Sequence, residues 1–138
     1  MAPDGFSGSW VSTRVRIRCS ALPGGVIEAE LENSPTLKAL LPVLPHTSKA
    51  STWGAEVYFP VPIEAELDSH PKQVVPRGTV CFWVQGASLA IPYGPTPISE
   101  GNESRLVTAV NVLGSIVGES GILATIRDGD TITIELAE

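Results

Sequence analysis

Between Thr13 and Glu32 the chain alternates apolar and charged residues with a single interruption, and this period of two leaves almost no choice of local structure. Val15, Ile17 and Cys19 fall on one side of an extended chain, and Arg14, Arg16 and Arg18 on the other. After Ala21-Leu22-Pro23-Gly24-Gly25 the alternation resumes, with Ile27, Ala29 and Leu31 apolar and Glu28, Glu30 and Glu32 acidic. Successive side chains of a strand point to opposite faces, so the segment reads as a half-buried β-hairpin. A turn centred on Pro23 would set Arg18 opposite Glu28, Arg16 opposite Glu30 and Arg14 opposite Glu32. Three arginines on one face could hold an anion, but three matching carboxylates neutralise them, and the structural reading wins.

Further along, Asn33-Ser34-Pro35 is a helix start, with a capping side chain followed by proline at the first helical position. Leu37, Leu40, Leu41 and Leu44 follow at helical spacing, and Pro42 ends or kinks the helix after about two turns. His46 to Ser51 reads as a polar connection. Ala55, Val57 and Phe59 share one face of the next strand, with Gly54, Glu56 and Tyr58 on the other, before Pro60 and Pro62 break the ladder. Ile63, Ala65 and Leu67, alternating with Glu64 and Glu66, suggest another strand. Turns are expected at Asp68 to Lys72 and at Pro76-Arg77-Gly78.

Thr79 to Gln85, Leu89 to Ile91, Val107 to Val117 and Thr131 to Ala137 are the remaining strand patterns, with a second short helix over Ser120 to Arg127. Gly114, inside the longest of these strands, marks a bend or a close backbone approach. About eight strands, two short helices and frequent turns describe a mainly β protein, a closed or nearly closed β-barrel. Residues 13–138 form that single domain; residues 1–12 are small, polar and glycine-rich, and are read as a flexible segment that Trp10 could pin.

Composition narrows the partners. In 138 residues only 17% are charged and the net charge is −6, so the field of the protein repels phosphate backbones and nucleic acid is not an expected partner. No stretch is long and apolar enough to span a bilayer and no signal pattern opens the chain, which gives the expectation of a cytoplasmic protein without a membrane partner. Cys19 and Cys81 stand far apart in strand-like patterns and read as buried thiols. His46 and His70 have no metal ligand at suitable spacing, so neither a metal nor a cofactor is expected.

Six of the eight aromatic residues lie between Ser51 and Pro97, around one isolated acid. If Val57 and Phe59 face the core, Glu56 and Tyr58 project together from the opposite face, and a carboxylate lodged against Trp53 and Trp83 would be desolvated, as a general acid or base requires. The level alternative is that Glu56 caps a backbone group or pairs with Arg77 or Arg105. Trp53, Trp83 and Tyr93 could line a pocket for a small molecule or short peptide. Thr96, most simply a turn residue, and Asn111, for which satisfying a loop carbonyl is the favoured role, complete the candidate ligand contacts.

Trp53-Gly54-Ala55-Glu56-Val57-Tyr58-Phe59, Gly78-Thr79-Val80-Cys81-Phe82-Trp83, Tyr93-Gly94-Pro95-Thr96-Pro97-Ile98-Ser99, Ala109-Val110-Asn111-Val112-Leu113-Gly114 and Ile126-Arg127-Asp128-Gly129-Asp130 together resemble the small prokaryotic cyclophilin-like family. That resemblance implies a cyclophilin-like barrel from about Thr13 onward, in proteins without an established reaction. True cyclophilins isomerise prolyl bonds with a Phe-His-Arg run. The corresponding strand here offers Tyr58-Phe59-Pro60, and a proline cannot supply the guanidinium, which argues against prolyl isomerase activity. The expectation is therefore a barrel that binds a small molecule or peptide in an aromatic groove. The alternatives are a cofactor-independent isomerase, lyase or cyclase acting on an uncharged substrate through Glu56 and Tyr58, or an interaction subunit, with a homodimer left open.

Overall fold

The hairpin forms from β1 (Ser12–Arg18) and β2 (Val26–Glu32). The computed structural model describes residues 12–137, so the expectation for the first eleven residues, Trp10 included, lies outside the described residues. Val15, Ile17, Ala29 and Leu31 are fully buried, and the arginines and glutamates occupy the other face. The faces are as expected, but the register is two residues away: Arg14 lies opposite Glu30 and Arg16 opposite Glu28. Gly24 and Gly25 both take left-handed backbone angles, and Cys19 N–H donates to the Gly25 carbonyl, which moves the centre of the hairpin toward Leu22. A shift of two keeps every side chain on its face.

That shift leaves Arg18 opposite Val26, and it pairs instead with Glu135 at 2.7 Å, on the closing strand β10 (Thr131–Leu136). Arg14 meets Glu28 at 2.8 Å and Arg16 meets Glu135 at 3.3 Å. Exposed pairs of this kind add little stability, so the apolar face sets the pairing and the charges follow it.

Helix α1 (Pro35–Leu40) begins as the sequence suggests, with the Ser34 hydroxyl accepting from Leu37 N–H at 3.1 Å. A 3-10 turn at Leu41–Val43 carries the Pro42 break, and a second 3-10 helix spans Ser120–Thr125. The remaining strands are β3 (His46–Lys49), β4 (Ser51–Thr52), β5 (Glu56–Pro60), β6 (Lys72–Val75), β7 (Thr79–Trp83), β8 (Ser88–Pro92) and β9 (Ser104–Val117). Two readings are corrected here. His46 to Ser51 is not a connection: its first four residues form an edge strand whose alternation is too polar to see. Ile63 to Leu67 is not a strand: it pairs with no neighbouring strand, and at its end a side chain takes that place. Asn111 Nδ2 donates to the Glu66 carbonyl at 2.9 Å, and Asp68 N–H donates to Asn111 Oδ1 at 2.7 Å.

The sheet has ten strands in the order β3-β10-β1-β2-β9-β7-β8-β5-β4, with β6 paired to β9 outside that path. It is thus neither eight-stranded nor a closed ladder. Its two ends, β3 and β4, are successive pieces of one segment separated only by Ala50, whose carbonyl and N–H pair with Gly129 and Asp130. Inside, Val57, Phe59, Val80, Phe82, Leu89 and Ile91 join the hairpin residues in the main core. A second apolar cluster, Val75, Cys81, Ala90, Leu106 and Val110, lies on the other side of β5, β7 and β8 under the first half of β9.

Gly114 marks the place where β9 crosses the hairpin. A Cβ there would sit 1.9 Å from the Glu30 carbonyl oxygen, which is backbone and cannot yield. Gly114→Ala should therefore cost ~3 kcal/mol, at the upper end of overpacking changes, measured as a lowered urea midpoint with unchanged slope.

Candidate functional site

The period of two that builds the core also builds the site. With Val57 and Phe59 turned inward, Glu56 and Tyr58 face outward on β5. Tyr58 lies opposite Ala90 of β8, and Ala90 lies opposite Cys81 of β7, so these three form a row across adjacent strands. Glu56 and Trp83 stand one alternate position, about 7 Å along a strand, from the ends of that row. The Tyr58 and Trp83 rings meet edge to face with centroids 6.0 Å apart. Leu106, Val107 and Val110 close the space from β9, and Trp53 closes it from the turn before β5. The result is a pocket of about 180 Å³ in which Glu56 supplies the only carboxyl among the described residues.

Two local devices hold the aromatic walls. Gly86, in the turn after β7, leaves room for the Trp83 ring: a Cβ there would lie 2.2 Å from the indole. The turn carrying Trp53 is braced by the loop after β8, where Ala55 N–H donates to the Pro95 carbonyl and Tyr93 N–H donates to the Ala55 carbonyl. Gly54 has φ of +59° and faces Pro97 and Thr96 so closely that a side chain would have no space.

Glu56 is 6% exposed, and its Oε1 is buried with no hydrogen-bond partner among the described residues. Opposite it on β8 stands Pro92, which has no N–H to offer. Burial alone pushes its carboxyl from the ordinary 4.5 up to about 7. The Cys81 thiol is pushed up as well, first by burial and then by the nearby Glu56 charge, and it remains a neutral thiol. The alternative salt bridge from Glu56 does not form: Arg105 pairs with Glu103 at 2.7 Å, and Arg77 donates to the Asn102 carbonyl.

Of the candidate residues, the structure brings together Trp53, Glu56, Tyr58 and Trp83 and sets three apart. Asn111 is fully buried, and besides holding the 66–68 backbone it donates to Thr36 Oγ1 at 3.1 Å. Thr96 donates to the Arg105 carbonyl and bonds Ser99, as a turn residue does. Tyr93 packs against the main core, and burial raises its phenol. The pocket residues that the sequence did not flag are Ala90, Leu106, Val107 and Val110. An unbroken period of two cannot reveal the three on β9, because pairing to β6 shifts between Lys72 and Val74 and β9 changes which residues it buries. Val107, an apolar residue left 53% exposed at the pocket, is the only sign. No group of three His, Cys, Asp or Glu among the described residues could hold a metal ion, and no helix there is long and apolar enough to cross a membrane.

Set against known proteins, the cyclophilin-like family profile matches residues 13–135, so the chain belongs to the cyclophilin-like family. A hypothetical protein of Archaeoglobus fulgidus, with a structure determined in solution, is 34% identical over 97% of this chain and 100% of its own, with a TM-score of 0.77. McbB, solved in complex with tryptophan, shares the fold at 21% identity and a TM-score of 0.63. That match spans 88% of this chain and 44% of McbB. A search of curated proteins found no match.

The position of Glu56 sets a pH dependence. Between the ordinary 4.5 and about 7 the folded protein keeps a proton that the unfolded chain has lost. Stability therefore falls as pH rises through that window and is flat above it, with a total change on the order of 3 kcal/mol. Glu56→Gln has no such proton to lose: urea melts at about pH 5 and about pH 8 should show a smaller decline and a variant more stable than wild type at the higher pH.

Proposed function

We propose that this protein binds a small, largely apolar organic molecule in the pocket formed by Trp53, Glu56, Tyr58 and Trp83. The observation that carries this reading is the buried, unpartnered Oε1 of Glu56 at an otherwise apolar, aromatic-lined surface. An orphaned buried carboxyl costs stability, and a ligand that bonds it recovers part of that cost. Aromatic walls add contact area and orient a flat group by edge and face. The volume, equal to about six waters at liquid density, suits one ring with a short substituent, or a single side chain of a peptide. McbB, described in complex with tryptophan, is one protein of this fold with an aromatic ligand.

A second reading follows from one further observation. A carboxyl titrating at about 7 is matched to proton transfer near neutral pH, so Glu56 would shuttle a proton in an isomerase, lyase or cyclase reaction, with Tyr58 as the neighbouring hydrogen-bond donor. Binding is the parent of both readings.

The test uses a neutral single-ring probe, benzyl alcohol. It should raise the Tm of the wild-type protein in proportion to the logarithm of its concentration, and Trp83→Ala should fold yet show no such rise. An unchanged thermal shift in Trp83→Ala removes the pocket from consideration. If the second reading holds, Glu56→Gln keeps binding substrate and loses turnover by ~100-fold or more, the usual worth of an acid or base.

A further inference from the structure

The pocket contains a carboxyl group and, among the described residues, no cation to balance it: no Lys, Arg or His of theirs lines it. The titratable groups that face Glu56 are the Tyr58 phenol, which also lines the pocket, and the Cys81 thiol on β7, which feels its charge. From β8 and β9 come only Ala90, Leu106, Val107 and Val110, and Arg105, the cation nearest in sequence to this face of β9, is held by Glu103. The walls are the faces and edges of two indoles and a phenol, which attract cations through their quadrupoles. A buried acid with its own cation would be a structural ion pair. A buried acid without one, enclosed by aromatic rings, lacks a partner that a ligand can supply.

We propose that the ligand is an amine: a compact, flat or apolar body bearing one protonated nitrogen that donates to the unpartnered Oε1 of Glu56 while the body lies among Trp53, Tyr58 and Trp83. This inference rests on the reading of the pocket as a small-molecule site and adds the charge class of the molecule. An anion is disfavoured by the same geometry, since it would face the Glu56 carboxylate with no cation among the described lining residues to offset the repulsion. A neutral molecule of equal shape fills the pocket and leaves the charge on Glu56 unmatched whenever that group ionises. Binding of the amine is coupled to release of the Glu56 proton, because the ion pair forms only with the carboxylate.

Three isosteric probes separate the possibilities: benzylamine, benzyl alcohol and benzoate, each titrated into the labelled full-length protein while the indole N–H resonances of Trp53 and Trp83 are followed. Benzylamine should bind at least tenfold more tightly than benzyl alcohol, and benzoate more weakly than both. The advantage of benzylamine should fall by up to tenfold for each pH unit below about 7 and level off above it, as loss of one proton from Glu56 requires. In Glu56→Gln the affinities for the amine and the alcohol should converge. Equal affinity of the two in the wild-type protein, or a pH-independent preference, overturns the amine assignment and leaves the pocket reading intact. No perturbation of either indole by any probe overturns the pocket reading and the amine assignment with it.

Discussion

Burial of three neighbouring strands on both faces is the constraint from which the rest of the structure follows. Every residue of β8 is buried, as are four of the five in β7 and three of the five in β5. Strands buried on one side alone can alternate apolar with polar; these cannot, and need cover on each side. The hairpin, α1 and the closing strands supply the inner cover, where Val57, Phe59, Val80 and Phe82 meet the main core. The first half of β9, with β6 alongside, supplies the outer cover through Val75, Leu106 and Val110. The pocket is the part of the outer face that this second cover leaves open.

Seen this way, Glu56 is an exception within an otherwise consistent scheme. The position it occupies calls for an apolar residue, and a leucine there would complete the second cluster. A carboxyl instead loses hydration and gains no hydrogen bond at Oε1. Local sequences that oppose their surroundings in this manner are where proteins keep chemistry, since stability alone would have removed them. Elsewhere among the described residues only the Ser48 hydroxyl is also buried without a partner, and it carries no charge. The buried amide of Asn111 is satisfied at both ends and does the work of a missing strand partner for residues 66–68.

Much of this was legible in the chain, and the limits have physical causes. Side-chain periodicity gives the face of a residue reliably, so the hairpin and β5 were read with the right residues inside, and Glu56 and Tyr58 were placed together on the opposite face with Trp53 and Trp83 as neighbours. Register is a different matter: a slip of two leaves the pattern unchanged, and only the conformations of Gly24 and Gly25 decide it. The edge strand β3 was hidden because His46 to Lys49 has few apolar residues to alternate. Ile63 to Leu67 alternates but finds no strand beside it. The number of strands and the open ladder depend on pairing across the chain, which no local pattern contains. Tyr93, Thr96 and Asn111 share the composition of pocket residues while serving the loops that hold the site.

The space beneath the Trp83 ring is an absence of one carbon, at Gly86, on a turn that lies outside the pocket lining. The wall against which a ligand would rest is thus positioned by a residue that the ligand would not meet. In a lineage of such proteins the gauge of the pocket can drift through that turn while the contact surface keeps its sequence, so two relatives with matching aromatic walls need not share the same guest.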